Sequence, residues 1–175
     1  MTRTVPFLLL ALILPDVAAA KAREPVETTQ AFIDALIKVK PDDGKLAAKD
    51  KEANQKIFLE LDQFLDFEKL TEESIAPRAD KFTPAEQVEF ARKFREILSL
   101  IAYPDSGGFF KRATYKLGSA KAEGERVTVP IHAKVVKDDL ETQVDIHWKR
   151  RAGDALRIAD VSFDGDSLVK DYQNQ

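Results

Sequence analysis

The chain has 175 residues, and its 27 basic and 30 acidic side chains give a formal net charge of −3. This near balance excludes the basic excess that is typical of nucleic-acid-binding proteins. The chain contains no cysteine, which excludes thiol catalysis, disulfides and cysteine-ligated metal sites.

The amino terminus has the order of a secretory signal peptide. Arg3 provides the positive charge, an apolar run of ten residues follows from Val5 to Leu14, and Ala18 with Ala20 forms a small-x-small cleavage pattern. The run is too short to span a bilayer core of about 30 Å. We therefore predict cleavage after Ala20, with an uncleaved membrane anchor as the alternative.

Cleavage at this point divides the chain into a signal peptide, residues 1–20, and a remainder, residues 21–175. The remainder has the length of one domain of roughly 100 to 200 residues. Its first part has apolar residues at helical spacing, in segments at about 32–39, 46–65 and 67–75.

Thr83-Pro84-Ala85-Glu86 is the clearest local signal in the chain. Thr83 can cap the free amides of a helix, Pro84 suits the first helical position, and Glu86 can complete a capping box. We therefore predict a helix that begins here and ends at the turn-forming run Pro104-Asp105-Ser106-Gly107-Gly108. Its predicted buried stripe comprises Val88, Phe90, Ala91, Phe94, Ile97, Leu98 and Ile101.

After Gly108 the apolar residues recur at every second position, which indicates half-buried strands. The predicted strands cover about residues 113–117, 127–135, 142–149 and 155–163, and a last helical turn follows them. Helical segments followed by a four-stranded antiparallel sheet predict an α+β domain. We expect the helices to cover the apolar face of the sheet.

The alternation also predicts how the second and third strands pair. For both apolar sets to share one face, we place Ile131 opposite Ile146, with a turn centred on Asp138-Asp139. In the fourth strand the apolar residues Leu156 and Ile158 occupy even-numbered positions, whereas Val161 and Phe163 occupy odd-numbered ones. This change predicts a β-bulge near Ala159-Asp160.

Three sets of polar residues could carry chemistry, and each has a plainer interpretation. The predicted register places His132 opposite Asp145, but no Gly-x-Ser-x-Gly motif accompanies this pair, so an exposed cross-strand pair is favoured over a catalytic one. The acidic run 160–166 departs from calcium-loop spacing, which favours a turn. The basic run Lys149-Arg150-Arg151 is interpreted as a solvated hairpin end.

The remaining candidate feature is apolar bulk, because the chain has eleven phenylalanines, three tyrosines and one tryptophan. These rings could simply fill a packed core, which the pattern alone favours. The same residues could line a lipid pocket, since each buried methylene contributes roughly 0.8 kcal/mol and needs no directional group. Periodicity does not separate the two interpretations.

Four stretches resemble the motifs of a known family. Residues 83–98 are similar to its Thr-Pro-x-Gln helix with phenylalanines four apart, and residues 64–70 to its short aspartate-containing linker. Residues 146–161 resemble its closing hairpin, and Gly165-Asp166-Ser167-Leu168-Val169 resembles its Gly-x-Ser-Leu-Val signature. On these motifs the chain is identified as a member of the MlaC or toluene-tolerance family.

The resemblance implies a periplasmic carrier with a nuclear-transport-factor-like or cystatin-like fold and phospholipid as cargo, without a cofactor or metal. It would pass phospholipid between an outer-membrane lipoprotein complex and an inner-membrane ABC transporter with its substrate-binding ring protein, and so maintain outer-membrane lipid asymmetry. An apolar pocket would lie between helices and sheet. The predicted lipid-binding residues are Phe64, Leu70, Phe94, Leu98, Tyr115, Val129, Ile131, Val144, Ile146, Trp148 and Ile158.

Two other functions stay open at this point. A small enzyme of the same fold class would need an inward ionisable group, for which Asp160, displaced by the predicted bulge, is the candidate. An interaction module with a packed core would need no pocket. The segment from Tyr103 to Phe110 differs from the tyrosine-rich helix usual in the family, so it contributes no residue to the predicted site.

Overall fold

The computed structural model describes residues 17–42, 44–151 and 155–174, in which a helical layer packs on one face of an antiparallel sheet. The helices are α1 (Val17–Lys38), α2 (Ala48–Asp62), α3 (Phe67–Ile75), α4 (Pro84–Ile97), α5 (Tyr103–Arg112) and α6 (Leu168–Asn174). The strands are β1 (Thr114–Leu117), β2 (Lys121–Glu123), β3 (Arg126–Val135), β4 (Leu140–Arg150), β5 (Leu156–Phe163) and β6 (Asp166–Ser167). The α+β prediction is confirmed, with six strands in place of four.

The amino-terminal prediction falls largely outside the described residues. The apolar run Val5–Leu14 lies outside them, and α1 begins at Val17, so this helix crosses the predicted cleavage point after Ala20. No helix in the described ranges is both long enough and apolar enough to cross a membrane.

The predicted start of α4 is confirmed. The Thr83 hydroxyl accepts a hydrogen bond from the Glu86 amide at 3.3 Å, and the Glu86 carboxylate accepts one from the Thr83 amide at 2.8 Å. Two amides of the first turn are thereby bonded, and Pro84 needs no partner because it has no amide hydrogen.

The buried stripe of α4 is narrower than predicted. The side chains that pack inward follow one line at a spacing of four residues: Phe90, Phe94 and Leu98. Three members of the predicted stripe are exposed, so the prediction is wrong for them: Val88, Ile97 and Ile101. The cause is that α4 packs against α3 and, through Phe90 and Phe94, against Tyr172 of α6, so only the side chains on this line are covered and the other apolar positions face solvent.

The predicted helix end at Pro104 to Gly108 is also wrong. A π-helical turn, Leu98–Ala102, connects α4 to α5, and Pro104 lies in the first turn of α5, where its missing amide hydrogen is tolerated. Gly107 lies against α1, and a Cβ atom at this position would be 2.3 Å from the carbonyl oxygen of Leu36. The glycine therefore permits the close approach of two helices.

The sheet has the order β1-β3-β4-β5-β6, and β2 also pairs with β3. Ile131 pairs with Val144 and not with Ile146, so the predicted β3–β4 register is wrong by two residues. The connection is a 3-10 turn, Val136–Asp138, closed by Asp139 at a φ of +48°, and it is centred one residue earlier than predicted. A shift of two residues preserves the faces of both strands, so the apolar sets still share the core side.

The predicted bulge in β5 is confirmed. Trp148 pairs with Ile158 and His147 pairs with Asp160, so Ala159 stands between two consecutive pairs without a partner on β4. The extra residue keeps the apolar positions before and after it on the core face.

The linker between α2 and α3 runs along β5. The Asp66 amide donates to the Ile158 carbonyl at 2.9 Å, and the Ile158 amide donates to the Phe64 carbonyl at 2.7 Å. Leu65 and Ile158 thus form an isolated parallel bridge. The linker joins the helical layer directly to the sheet beside the bulge.

Candidate functional site

The eleven predicted lipid-binding residues lie together between the helices and the sheet. Nine of them are at most 8% exposed and belong to one hydrophobic cluster: Leu70, Phe94, Leu98, Val129, Ile131, Val144, Ile146, Trp148 and Ile158. Phe64 and Tyr115 are half-buried and pack against this cluster. We call this cluster the interlayer core. Because its side chains contact one another, any acyl chain that enters it must displace some of them.

Several members of the interlayer core were missed from the sequence. Phe32, Ile33 and Leu36 belong to it, although their helical spacing had been recognised. Tyr103 and Phe110 belong to it as well, and Phe110 lies 5.4 Å from Tyr115, ring centre to ring centre. The predicted site leaves them out because the segment from Tyr103 to Phe110 differs from the tyrosine-rich helix usual in the family.

Trp148 connects the sheet to α1 in the middle of the interlayer core. The indole has no solvent exposure, and its Nε1 donates a hydrogen bond to Thr29 Oγ1 at 2.9 Å. Thr29 Oγ1 in turn donates to the Pro25 carbonyl at 2.8 Å. The chain has one tryptophan, so this contact fixes its only indole at the layer boundary.

The carboxy-terminal helix closes one side of the interlayer core with aromatic contacts. The Tyr172 ring lies 5.5 Å from that of Phe94 and 6.4 Å from that of Phe90, both in edge-to-face arrangements. Gln173 donates a hydrogen bond to the Glu73 carbonyl at 2.7 Å. These contacts hold α6 against α3 and α4.

Asp160 holds the Gly-x-Ser-Leu-Val signature on β5. Its carboxylate accepts hydrogen bonds from the Ser167 hydroxyl at 2.6 Å, the Val169 amide at 3.2 Å and the Val161 amide at 2.8 Å. These bonds engage both oxygen atoms that a catalytic base would use. Throughout the described ranges, no group of three or more histidine, cysteine or acidic side chains could hold a metal ion.

His147 occupies a polar site on the face of β4 opposite the interlayer core. Its Nδ1 lies 2.9 Å from Thr128 Oγ1, and its Nε2 lies 3.0 Å from Ser162 Oγ. Burial lowers the pKa of His147, although the negative charge of Asp160 opposes this change. A neutral ring can donate to one hydroxyl and accept from the other, so this site satisfies both ring nitrogens.

The predicted pair of His132 and Asp145 is wrong. His132 is exposed and pairs in register with Gln143, whereas Asp145 pairs with Pro130. The two-residue register difference separates the side chains, so the His–Asp half of a catalytic triad does not form here.

The basic run 149–151 lies at the end of the β4–β5 hairpin, as predicted, but its side chains are bonded to the helical layer and are not merely solvated. The ion pairs are Lys149 with Glu73 at 3.4 Å, Arg150 with Glu24 at 2.8 Å, and Arg151 with Asp66 through two hydrogen bonds. These pairs leave no local signal in the sequence, because the acidic partners lie more than 70 positions earlier in the chain.

Asp66 is the best-buried member of these pairs, and it predicts a pH dependence. Burial raises the pKa of Asp66, but hydrogen bonds from Arg151 and the Lys69 amide lower it by more, so the pKa lies below its ordinary value. The stabilisation is therefore complete above about pH 4 and is lost as the pH falls through the folded-state pKa. Asp66→Asn is expected to lower the free energy of unfolding by about 2 kcal/mol at pH 7.

The measurement is urea unfolding of wild type and Asp66→Asn at pH 7 and at pH 3. The difference between the two proteins is expected to shrink at pH 3, because Asp66 is then largely protonated in the unfolded chain and the folded state gains less from its ionisation. Asp80→Asn, at an exposed position, is the control and should match wild type at both pH values. A difference that stays constant with pH would contradict the assignment.

A cleft of about 400 Å³ opens at the edge of the interlayer core, between α1, the end of α2 and the start of β5. It is lined by Glu24, Thr28, Glu60, Gln63, Phe64, Leu156 and Arg157. We call it the edge cleft. Phe64 is the predicted site residue that lines it. A second hollow of about 400 Å³ lies on the β3–β4 hairpin and has a mostly polar lining.

The comparisons with known proteins agree with this architecture. The sequence model of the MlaC protein family matches residues 29–175. The solved structure of a phospholipid-binding protein from Ralstonia solanacearum, in complex with a phospholipid, superposes with a TM-score of 0.63 at 20% sequence identity. The match covers 88% of this chain and 84% of that chain, and shows a shared fold. No curated protein sequence matches the chain.

Proposed function

Because the chain belongs to the MlaC family, we propose that it is a periplasmic phospholipid carrier, which holds the acyl chains of its cargo between the helices and the sheet. It would carry lipid between two membrane complexes. These are an outer-membrane lipoprotein complex and an inner-membrane ABC transporter with its ring protein. The phospholipid bound to the similarly folded Ralstonia protein supports this choice of cargo.

The interlayer core is the observation that carries this proposal. It is a continuous apolar layer, and the buried polar groups Thr29, Asp66 and Asp160 are bonded to protein partners. An acyl chain needs such a surface, since each methylene removed from water contributes roughly 0.8 kcal/mol. Cargo of this kind would replace contacts among the core side chains with contacts to its own methylenes.

The contacts of Asp160 argue against an enzyme. Both carboxylate oxygens hold the backbone and the serine of the carboxy-terminal signature. A general base must be within reach of a substrate proton, whereas Asp160 is 5% exposed and faces the chain's own backbone and Ser167. Asp160 thus has a structural role, and binding without turnover is the function that the geometry supports best.

Trp148 provides a direct test, because this single indole lies inside the interlayer core. The full chain is incubated with vesicles of phospholipid brominated in the acyl chains, separated from them, and analysed for bound lipid by mass spectrometry. Bromine quenches an indole only on close contact, so we expect bound brominated lipid to quench Trp148 emission, and unbrominated lipid not to do so.

The control variant carries Trp148→Phe together with Val136→Trp, which moves the indole to a position that is 71% exposed on the β3–β4 turn. Its emission should not respond to bromine. Recovery of lipid without quenching of Trp148 would contradict binding in the interlayer core. Failure to acquire any lipid would overturn the proposed function. Carriage itself requires that the wild type move lipid between two vesicle populations that do not touch.

A further inference from the structure

The edge cleft contains one cationic side chain, Arg157. Its guanidinium donates a hydrogen bond to the Leu156 carbonyl at 2.9 Å and forms no ion pair within the described part of the chain. An arginine presents five N–H donors, so most of those of Arg157 stay available for a ligand. Arginine binds phosphate oxygens with paired hydrogen bonds, which suits a phosphodiester.

The floor of the edge cleft is the border of the interlayer core. Leu156 is 5% exposed and belongs to the core, and half-buried Phe64 lies 5.5 Å from the ring of Phe32, which also belongs to it. A ligand with its polar end in the edge cleft can therefore reach the core past Phe64. This arrangement of a polar rim above an apolar floor matches the two ends of a phospholipid.

Carboxylates stand on the same rim. Glu60 has one loose ion pair, with Lys38 at 3.6 Å, and its side chain is 48% exposed. Glu24 is already paired with Arg150 at 2.8 Å. Glu60 is thus the carboxylate with the greater capacity for a new partner. A primary ammonium has three donors and suits a carboxylate, whereas a second negative charge would be repelled by both glutamates.

We propose that the edge cleft binds the headgroup of a zwitterionic phospholipid that carries a primary ammonium, with the phosphate on Arg157 and the ammonium on Glu60. This inference rests on the proposed carrier function and adds the class of cargo. Phosphatidylethanolamine has both groups. Phosphatidylglycerol has the phosphate and lacks the ammonium, so it gains the Arg157 contact but has no cation for Glu60.

The full chain is incubated with vesicles that contain equimolar phosphatidylethanolamine and phosphatidylglycerol with the same acyl chains. The amounts of both bound lipids are then measured by mass spectrometry. Arg157→Gln is expected to lower the uptake of both lipids about threefold, and Arg157→Lys to lower it less, because lysine keeps the charge but not the paired hydrogen bonds. Glu60→Gln is expected to shift the bound ratio about threefold towards phosphatidylglycerol. The factors are modest because the cleft is open to solvent.

Two charge-matched controls lie away from the edge cleft: Lys116→Gln on β1, at the opposite end of the sheet, and Glu125→Gln beside β2. Both should behave as the wild type. The inference is overturned if Arg157→Gln takes up lipid as Lys116→Gln does, or if Glu60→Gln binds the two lipids in the wild-type ratio. Absence of all lipid from the wild type is a different result, which overturns the carrier function itself.

Discussion

Gly107→Ala is expected to lower the free energy of unfolding by about 3 kcal/mol, since the added methyl group would overlap the backbone of a neighbouring helix. The new Cβ would lie 2.3 Å from the Leu36 carbonyl oxygen, far inside van der Waals contact. Backbone cannot rotate away as a side chain can, so α5 and α1 would have to separate. Urea unfolding followed by circular dichroism measures the loss.

Gly108 provides the matched control in the next position of the same helix. A Cβ atom there would meet nothing closer than Arg112 Nη1 at 3.8 Å, which is the end of a flexible side chain. Gly108→Ala should therefore stabilise the protein by up to about 1 kcal/mol, as alanine generally does in a helix. Two variants that move the unfolding midpoint in the same direction would contradict the close packing of α5 on α1.

Trp148→Ala is expected to have the largest effect in the interlayer core, a loss of about 4 kcal/mol. The indole is fully buried, and its removal leaves a cavity bordered by α1 and loses the hydrogen bond to Thr29. Such a loss is a large part of the 5 to 15 kcal/mol that is typical of small domains. Both proteins must be freed of lipid before the measurement, because cargo bound to the folded state would raise its apparent stability.

Trp148→Phe separates the ring from its hydrogen bond. It retains most of the apolar volume and loses the Nε1 donor, so a loss of about 2 kcal/mol is expected. If Trp148→Ala costs less than about 1 kcal/mol, the helices and the sheet do not pack on this side chain in solution, and the interlayer core has to be redrawn.

Local chemistry is the part of this fold that could be predicted from the sequence. The capping box of Thr83 and Glu86 depends on residues three positions apart, and the structure confirms it. The bulge at Ala159 depends on a change of apolar parity within one strand, and it is confirmed as well. Both signals are contained within a few residues of the sequence.

Features set by distant partners were predicted less well. Pro104 and Gly107 have the composition of a helix end, yet the helix continues because a π turn precedes the proline and α1 packs against the glycine. The β3–β4 register depends on the conformation of Asp139, which has a positive φ that few residues other than glycine adopt. The ion pairs of residues 149–151 depend on helices far away in the sequence.

The candidate site could likewise be predicted where its signal is local, and not where distant elements form it. Strand alternation and the α4 stripe were enough to select side chains such as Val129, Ile146 and Phe94, which lie together in the interlayer core. The edge cleft was not predicted, because its lining comes from three separate elements and contains no motif. Arg157 and Glu60 look like ordinary surface charges until the fold places both beside Phe64.

The linker residues Phe64 to Asp66 cover part of the outer edge of β5. A strand at the border of a sheet exposes unpaired amides and carbonyls, which can recruit an extended segment of another molecule. Here Ile158 has both of its outward backbone groups bonded to the linker, and β6 pairs with β5 further along at Ser162. These groups of β5 are therefore already occupied, which limits the pairing of a foreign strand on this flank.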